Sequence, residues 1–290
     1  MTRRLDAMRH AQGLVWALEG VKVEPPPVLK NIVDGFDVLG DPIQAGAPDP
    51  SNAIIAAAVD GKLTPKTLDA LLAKAAAEST TTEYRQQFRL KAERKFARRF
   101  HAALLDGAAD EVLDGIRPHF ETAAAELTAA RDAVDLHATP DRLLNVTASP
   151  DEQAAWGRLP ELVRRIGQLG AIAAVFGPHA DLPVIDNLTN HDAILNLNWC
   201  DDRALMCTEG NIVTASNTFR AANPGWQTSP WLRITPKLAT IAEAQETIRD
   251  LAESDFNARE AHRVGNGTLT ANGFVSDTRA NPHKRIEATV

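Results

Sequence analysis

Residues 80–107 read TTTEYRQQFRLKAERKFARRFHAALLDG, and their spacing sets the expectation for the fold. Tyr84, Phe88, Ala92, Phe96 and Phe100 recur every four residues, which places them on one slowly drifting face of a helix. Neither Pro nor Gly interrupts the run before Gly107, which stands where a C-terminal cap belongs. The remaining surface is basic: Arg85, Arg89, Lys91, Arg94, Lys95, Arg98 and Arg99 face only Glu83 and Glu93, a net +5. The return arm, Asp106 to Asp135, has the opposite sign. Asp106, Asp110, Glu111, Asp114, Glu121, Glu126, Asp132 and Asp135 stand against Arg117 and Arg131, a net −6. Gly115 and Pro118 break the arm early, with Pro118 read as a first-turn residue of a new helix. Beyond it Phe120, Ala124, Leu127 and Val134 form a narrow apolar stripe. The expectation is a long helical hairpin with Phe88, Phe96 and Phe100 in the core and the charges solvated or paired between arms. A basic helix with interleaved aromatics is also a nucleic-acid footprint, which makes residues 85–99 the candidate interface.

The chain has 290 residues, enough for a sizeable core, with 44% hydrophobic and 24% charged residues and a net charge of −7. That balance is ordinary for a folded chain and excludes a general polycation. Two cysteines, Cys200 and Cys207, make no disulfide framework. The opening MTRRLDAMRHAQGLVWALEG has too short an apolar run for a signal peptide, and no stretch approaches a membrane span. The Asn145, Asn187 and Asn266 N-x-Thr triplets are read as chance matches. The expected location is the cytoplasm, or a particle assembled there.

Outward from the hairpin, residues 1–50 read as a short helix, with Leu5, Met8, Val15 and Trp16 on one side, followed by an extended arm. Pro25, Pro26, Pro27, Pro42, Pro48 and Pro50 argue against a long helix there, and Val28–Val38 leaves room for β structure. Residues 51–148 form the hairpin body, introduced by a helix capped at Thr64-Pro65 with Leu68, Leu71, Leu72 and Ala75 at helical spacing. Residues 149–262 open on the capping box Ser149-Pro150-Asp151-Glu152. Pro160 is expected to kink the next helix, and Gly167 and Gly170 to weaken its end or admit another backbone. Ala193–Trp199, Ala204–Cys207, Asn211–Phe219 and Trp231–Ile234 read as short strands, and Thr235-Pro236 as the cap of a last helix. Residues 263–290 read as a loose tail.

Metal-capable side chains gather at His179, Asp181, Asp186, His191, Asp192, Cys200, Asp201, Asp202 and Cys207. Their spacing matches neither CxxC pairs nor HExxH, so they are read as caps and turns, with no metal and no cofactor expected. Asp201-Asp202 is read as a turn rather than an acid–base pair. The hydrolase GxSxG, P-loop and dinucleotide signatures do not occur.

Two resemblances add to this reading. AILNLNW (193–199), GNIVTASNTF (210–219) and SPWLRITPKLATIAEAQETIRDL (229–251) resemble the C-terminal small domain of fold-type I pyridoxal-phosphate aminotransferases. That resemblance implies a small-molecule enzyme in which Arg233, on the L-R-I strand, binds the substrate carboxylate. DGKLTPKTLDALLAK (60–74), AAAELTAARDAVDLHATPDRLL (123–144) and DEQAAWGRL (151–159) resemble the Ala-rich helical segments of structural proteins of actinobacterial phages and prophages. The leading expectation is therefore a mainly α structural or assembly protein with a small α+β C-terminal part. It would act by helix packing, coiled-coil-like contact and self-association into a homo-oligomer or larger assembly, away from membranes. A nucleic-acid-associated module and an aminotransferase-like enzyme are the alternatives.

Overall fold

A computed structural model describes residues 7–37, 66–67, 69–71, 73, 91–136, 148–186, 188, 200–223, 225–265, 269–270 and 273–274. The chain is mainly helical. Among the described residues the continuous helices are α1 (Ala7–Gly20), α2 (Pro27–Asp37), α3 (residues 91–103), α4 (Ala109–Asp132), α5 (Pro150–Ala174), α6 (Asp202–Cys207), α7 (Ile212–Arg220) and α8 (Ile241–Gly265), and residues 66–67, 69–71 and 73 are helical as well. Two short antiparallel pairs complete it: β1 (Thr208–Glu209) with β2 (Thr235–Pro236), and β3 (Leu269–Thr270) with β4 (Gly273–Phe274). Contacts divide the chain into two compact units, residues 1–15 with 27–103 and residues 16–26 with 104–290.

In the first unit α1 buries Met8, Ala11, Leu14 and Val15, the i, i+3, i+6, i+7 face of an amphipathic helix. The segment read as an extended arm holds a helix instead. Pro27 opens α2, where a missing N–H costs nothing, and Leu29, Ile32, Val33 and Phe36 follow at i, i+3, i+4 and i+7, all buried. The prolines at 25 and 26 precede the helix rather than interrupt it, so apolar periodicity prevails over composition. The Phe36 and Phe96 rings meet at 5.8 Å between centroids and tie α2 to α3. Gly35 makes room for that contact, since a Cβ there would stand 3.3 Å from the Phe96 ring. Phe100 is buried and Phe96 half-buried, while Phe88 lies outside the described residues.

The second unit takes in the end of α1 from residue 16 and the segment that follows it. Val23 N–H donates to Leu18 O at 2.9 Å and Lys22 N–H to Glu19 O at 3.0 Å, a Schellman closure with Lys22 at φ +62°. Trp16, expected on the apolar side of α1, is 61% exposed. Below Gly107 (φ +109°), which ends the preceding helical run as its sequence position implies, α4 runs through Pro118 as one helix. Pro118 is exposed, so the carbonyl its missing N–H leaves unpaired faces water. The same holds for Pro160 in α5, and that helix is continuous.

α4 and α5 pack along their lengths, with Val112, Leu113, Ile116, Phe120, Ala123 and Leu127 buried on one and Leu159, Leu162, Ile166, Leu169 and Ile172 on the other. Glu126 of α4 lies 3.4 Å from Arg158 and 3.9 Å from Arg165 of α5. Ser149 Oγ accepts from Glu152 N–H at 3.1 Å, so the expected cap of α5 forms.

Trp231 joins the C-terminal elements to this pair. Its ring meets Phe120 of α4 at 6.3 Å and Phe219 of α7 at 5.1 Å, both edge-on. On α5 it lies against Gly167 and Gly170, and a Cβ on Gly170 would fall 2.5 Å from the indole. The two glycines admit a side chain, not a second backbone. Arg131 and Arg117, the return arm's two cations, donate to Ile234 O at 3.3 Å and Leu238 O at 2.9 Å.

The C-terminal segments read as strands are mostly helices. Ala204–Cys207 lies in α6, capped by Asp201, whose carboxylate accepts from Arg203 N–H at 2.9 Å. Asn211–Phe219 forms α7 with its cap: Asn211 Oδ1 accepts from Thr214 N–H at 3.0 Å. Ile212, Ala215, Ser216 and Phe219 are its buried face, so helical spacing overrides the β-branched Ile-Val-Thr run. Pro230–Leu232 is a 3-10 turn. Thr235-Pro236 is strand β2, and the true capping box of α8 is Thr240 with Glu243, closed by reciprocal bonds of 2.8 and 3.1 Å. Ala193–Trp199 lies outside the described residues, as do Leu5 and Val38. Within the stretch read as a loose tail, Leu269 pairs with Phe274.

Two glycines of α5 should respond oppositely to alanine. Gly157 has open space around it, so Gly157→Ala is expected to stabilise by roughly 0.5–1 kcal/mol through helix propensity. Gly170→Ala should cost about 1–3 kcal/mol, because the indole it meets is hemmed in by Phe120 and Phe219 and cannot withdraw. Urea unfolding of the two variants measures both.

Candidate functional site

Functional-type side chains gather in two places, the turn between α5 and α6 and the outer face of α3. At the turn, the Val184 and Ile185 amides both donate to Phe176 O, at 3.0 and 3.1 Å, and fold residues 176–186 into a compact loop. Gly177 lies directly under Asp202, where no Cβ would fit. Asp202 Oδ1 then faces His179, 3.3 Å from Nδ1 and 3.4 Å from the backbone N. A carboxylate that orients an imidazole is two-thirds of a nucleophile–base–acid arrangement.

The neighbouring nucleophile-type groups are committed to structure. Burial pushes the Cys200 thiol up to about 12; the Ser216 hydroxyl opposes the shift, the Asp202 and Asp201 carboxylates add to it, and Arg220 opposes it. Burial raises Cys207 as well, and its Sγ lies 3.8 Å from Gly170 O in the core. Both are neutral thiols at physiological pH, which is the unreactive form. Ser216 is fully buried, and its Oγ accepts from Asp201 N–H at 3.0 Å. Asp201 is held by Arg203 through two bonds, 3.0 Å from Nε and 2.8 Å from Nη2, and Arg203 lies 4.7 Å above the Phe219 ring. Asp201 thus caps α6 and Asp202 pins the loop. The adjacent carboxylates do different structural work.

Of the metal-capable residues, the turn brings His179 to Asp202 and Cys200 to the Asp201-Asp202 pair. Asp186 is drawn away, its N–H donating to Gln245 of α8 at 2.8 Å, while His191 and Asp192 lie outside the described residues. Among the described residues no group of three or more His, Cys, Asp or Glu side chains forms a metal site. Arg233, the carboxylate-binding residue implied by the aminotransferase resemblance, is exposed at the end of the Pro230–Leu232 turn. It does not stand on a strand, because Pro230 starts a 3-10 turn there. The His179–Asp202 pair is not singled out by sequence spacing. The only signal for it is Gly177-Pro178-His179, a turn that needs close approach.

On α3, Lys91, Arg94, Lys95, Arg98 and Arg99 are all exposed or nearly so, while Ala92, Phe96 and Phe100 turn inward. The cations follow an i, i+3, i+4, i+7, i+8 pattern, so they share one face. Among the described residues none of the five has an ion-pair partner. Three acidic residues of α4 have partners within their own unit: Asp114 with Arg117 at 3.6 Å, Asp132 with Arg131 at 3.1 Å, and Glu126 with Arg158. Arg85 and Arg89, the other members of the candidate interface, lie outside the described residues.

The chain matches no protein-family model, and neither a curated protein nor a solved structure matches it. No described helix is long and apolar enough to cross a membrane.

The thiols give a pH-dependent test. An unfolded thiol ionises near 9.0 and folded Cys200 near 12, so between these values the unfolded state binds fewer protons and stability falls as pH rises. The Cys200→Ala variant should lose that part of the alkaline slope, measured by urea unfolding across the window. At about pH 8 a water-soluble disulfide reagent should react with neither thiol until the protein is unfolded.

Proposed function

We propose that this chain is a structural or assembly protein that acts by helix packing and self-association. The observation that carries the reading is the placement of apolar bulk. Trp16 on α1 and Leu105 at the helix break are 61% and 58% exposed, whereas Leu14, Val15, Leu18, Leu104 and Ala108, their neighbours in sequence, are buried. A tryptophan left on the surface of a well-filled protein is typical of an anchor for another chain. The reactive-type groups at the α5–α6 turn support the same reading, because they serve as caps, clamps and buried thiols. The resemblance to phage structural proteins gives the proposal its most specific form: a component of a particle assembled in the cytoplasm, in contact with further copies of itself.

Sedimentation of the full chain should give a mass above that of a 31.4 kDa monomer. Trp16→Ala combined with Leu105→Ala should shift it toward monomer while leaving the helical signal unchanged, since neither side chain belongs to the core. A monomer at tens of micromolar, or an oligomer indifferent to both substitutions, contradicts the proposal.

A further inference from the structure

We infer that the outer face of α3 is a docking surface for a nucleic-acid duplex, held through its phosphate backbone. Lys91, Arg94, Lys95, Arg98 and Arg99 fall within about 140° of arc at 100° per residue and extend for about 12 Å at 1.5 Å per residue. The same length of duplex carries about seven phosphates. The cations lie on the solvent side of the helix, and among the described residues none is engaged in an ion pair. The chain as a whole is acidic, at −7, so this attraction belongs to one helix face and not to general polycation character.

The rest of the helix narrows the occupant. Single strands are held by stacking on aromatic rings, but the rings of α3 face the other way: Phe100 is buried and Phe96 is against Phe36. An anionic membrane surface would be held by charge alone, without the insertion that strengthens such binding, because the apolar face of α3 is already turned inward. Three of the five cations are arginines, whose planar forks match phosphate oxygens. Arg and Lys on one outward helix face, with the apolar residues inward, fit a backbone-only contact that is indifferent to sequence. The inference does not depend on self-association.

The test is fluorescence anisotropy of the full chain with a labelled duplex of about 30 base pairs over a salt series from about 50 mM. Binding is expected, with log K falling linearly against log salt at a slope between about −2.7 and −4.5, for roughly three to five phosphates neutralised. Lys95→Glu, Arg98→Glu and Arg99→Glu together should weaken binding at least about tenfold and leave the circular dichroism spectrum unchanged. The neutral set Lys95→Gln, Arg98→Gln and Arg99→Gln should lie between, and it replaces the first set if charge reversal unfolds the chain. A scrambled duplex should bind equally. Absence of duplex binding at the lowest salt, or equal binding by folded variants and parent, would overturn the inference. So would tighter binding of a single strand of the same length, of polyglutamate, or of phosphatidylserine–phosphatidylcholine vesicles.

Discussion

The second unit depends on one close approach, the Trp231 indole lying across α5 where Gly167 and Gly170 carry no side chain. A Cβ at Gly170 would occupy the ring's place. The indole meets Phe120 from α4 and Phe219 from α7 in T-shaped contacts, so one side chain touches three helices. Removing a buried aromatic of this size typically costs about 3–5 kcal/mol, a large share of a domain's net stability. The segment after Trp231 is then held by its backbone: Arg131 and Arg117 donate to the carbonyls of Ile234 and Leu238, and β2 pairs with β1. The acidic helix thus uses its two cations to position a strand.

The same contact explains where reactive residues end up. Cys207 sits beside Gly170 next to the indole, and Arg203 stacks on Phe219 while gripping Asp201. Of the side chains near the α5–α6 turn, Cys207 and the Arg203–Asp201 pair thus belong to the packing around Trp231. The cations Lys91, Arg94, Lys95, Arg98 and Arg99 of α3 are exposed and have no ion-pair partner among the described residues.

Much of the helical content was legible from spacing. The Ala92, Phe96 and Phe100 part of the every-fourth-residue run, the break at Gly107 and the Ser149 cap of α5 appear where the sequence places them. The errors have a common physical source, which is reading residue type ahead of period. Prolines at 25–27 hid α2, although Leu29, Ile32, Val33 and Phe36 already showed its face. Ile212-Val213-Thr214 suggested a strand, although Asn211 was a cap and Phe219 completed an i, i+7 stripe. Trp231 was not legible at all as a centre, because its role rests on glycines about sixty residues earlier in the chain, and long-range complementarity leaves no local period. Of the candidate interface, the basic composition is read directly from the sequence, which left the charges either solvated or paired with the acidic arm; that the five cations of residues 91–99 have no ion pair among the described residues took the structure.

The claim that one indole holds α4, α5 and α7 together is tested most directly by hydrogen exchange on Trp231→Ala. Amides buried in all three helices should lose protection together and to a similar extent. Loss confined to residues 226–238, with the three helices protected as before, would contradict it.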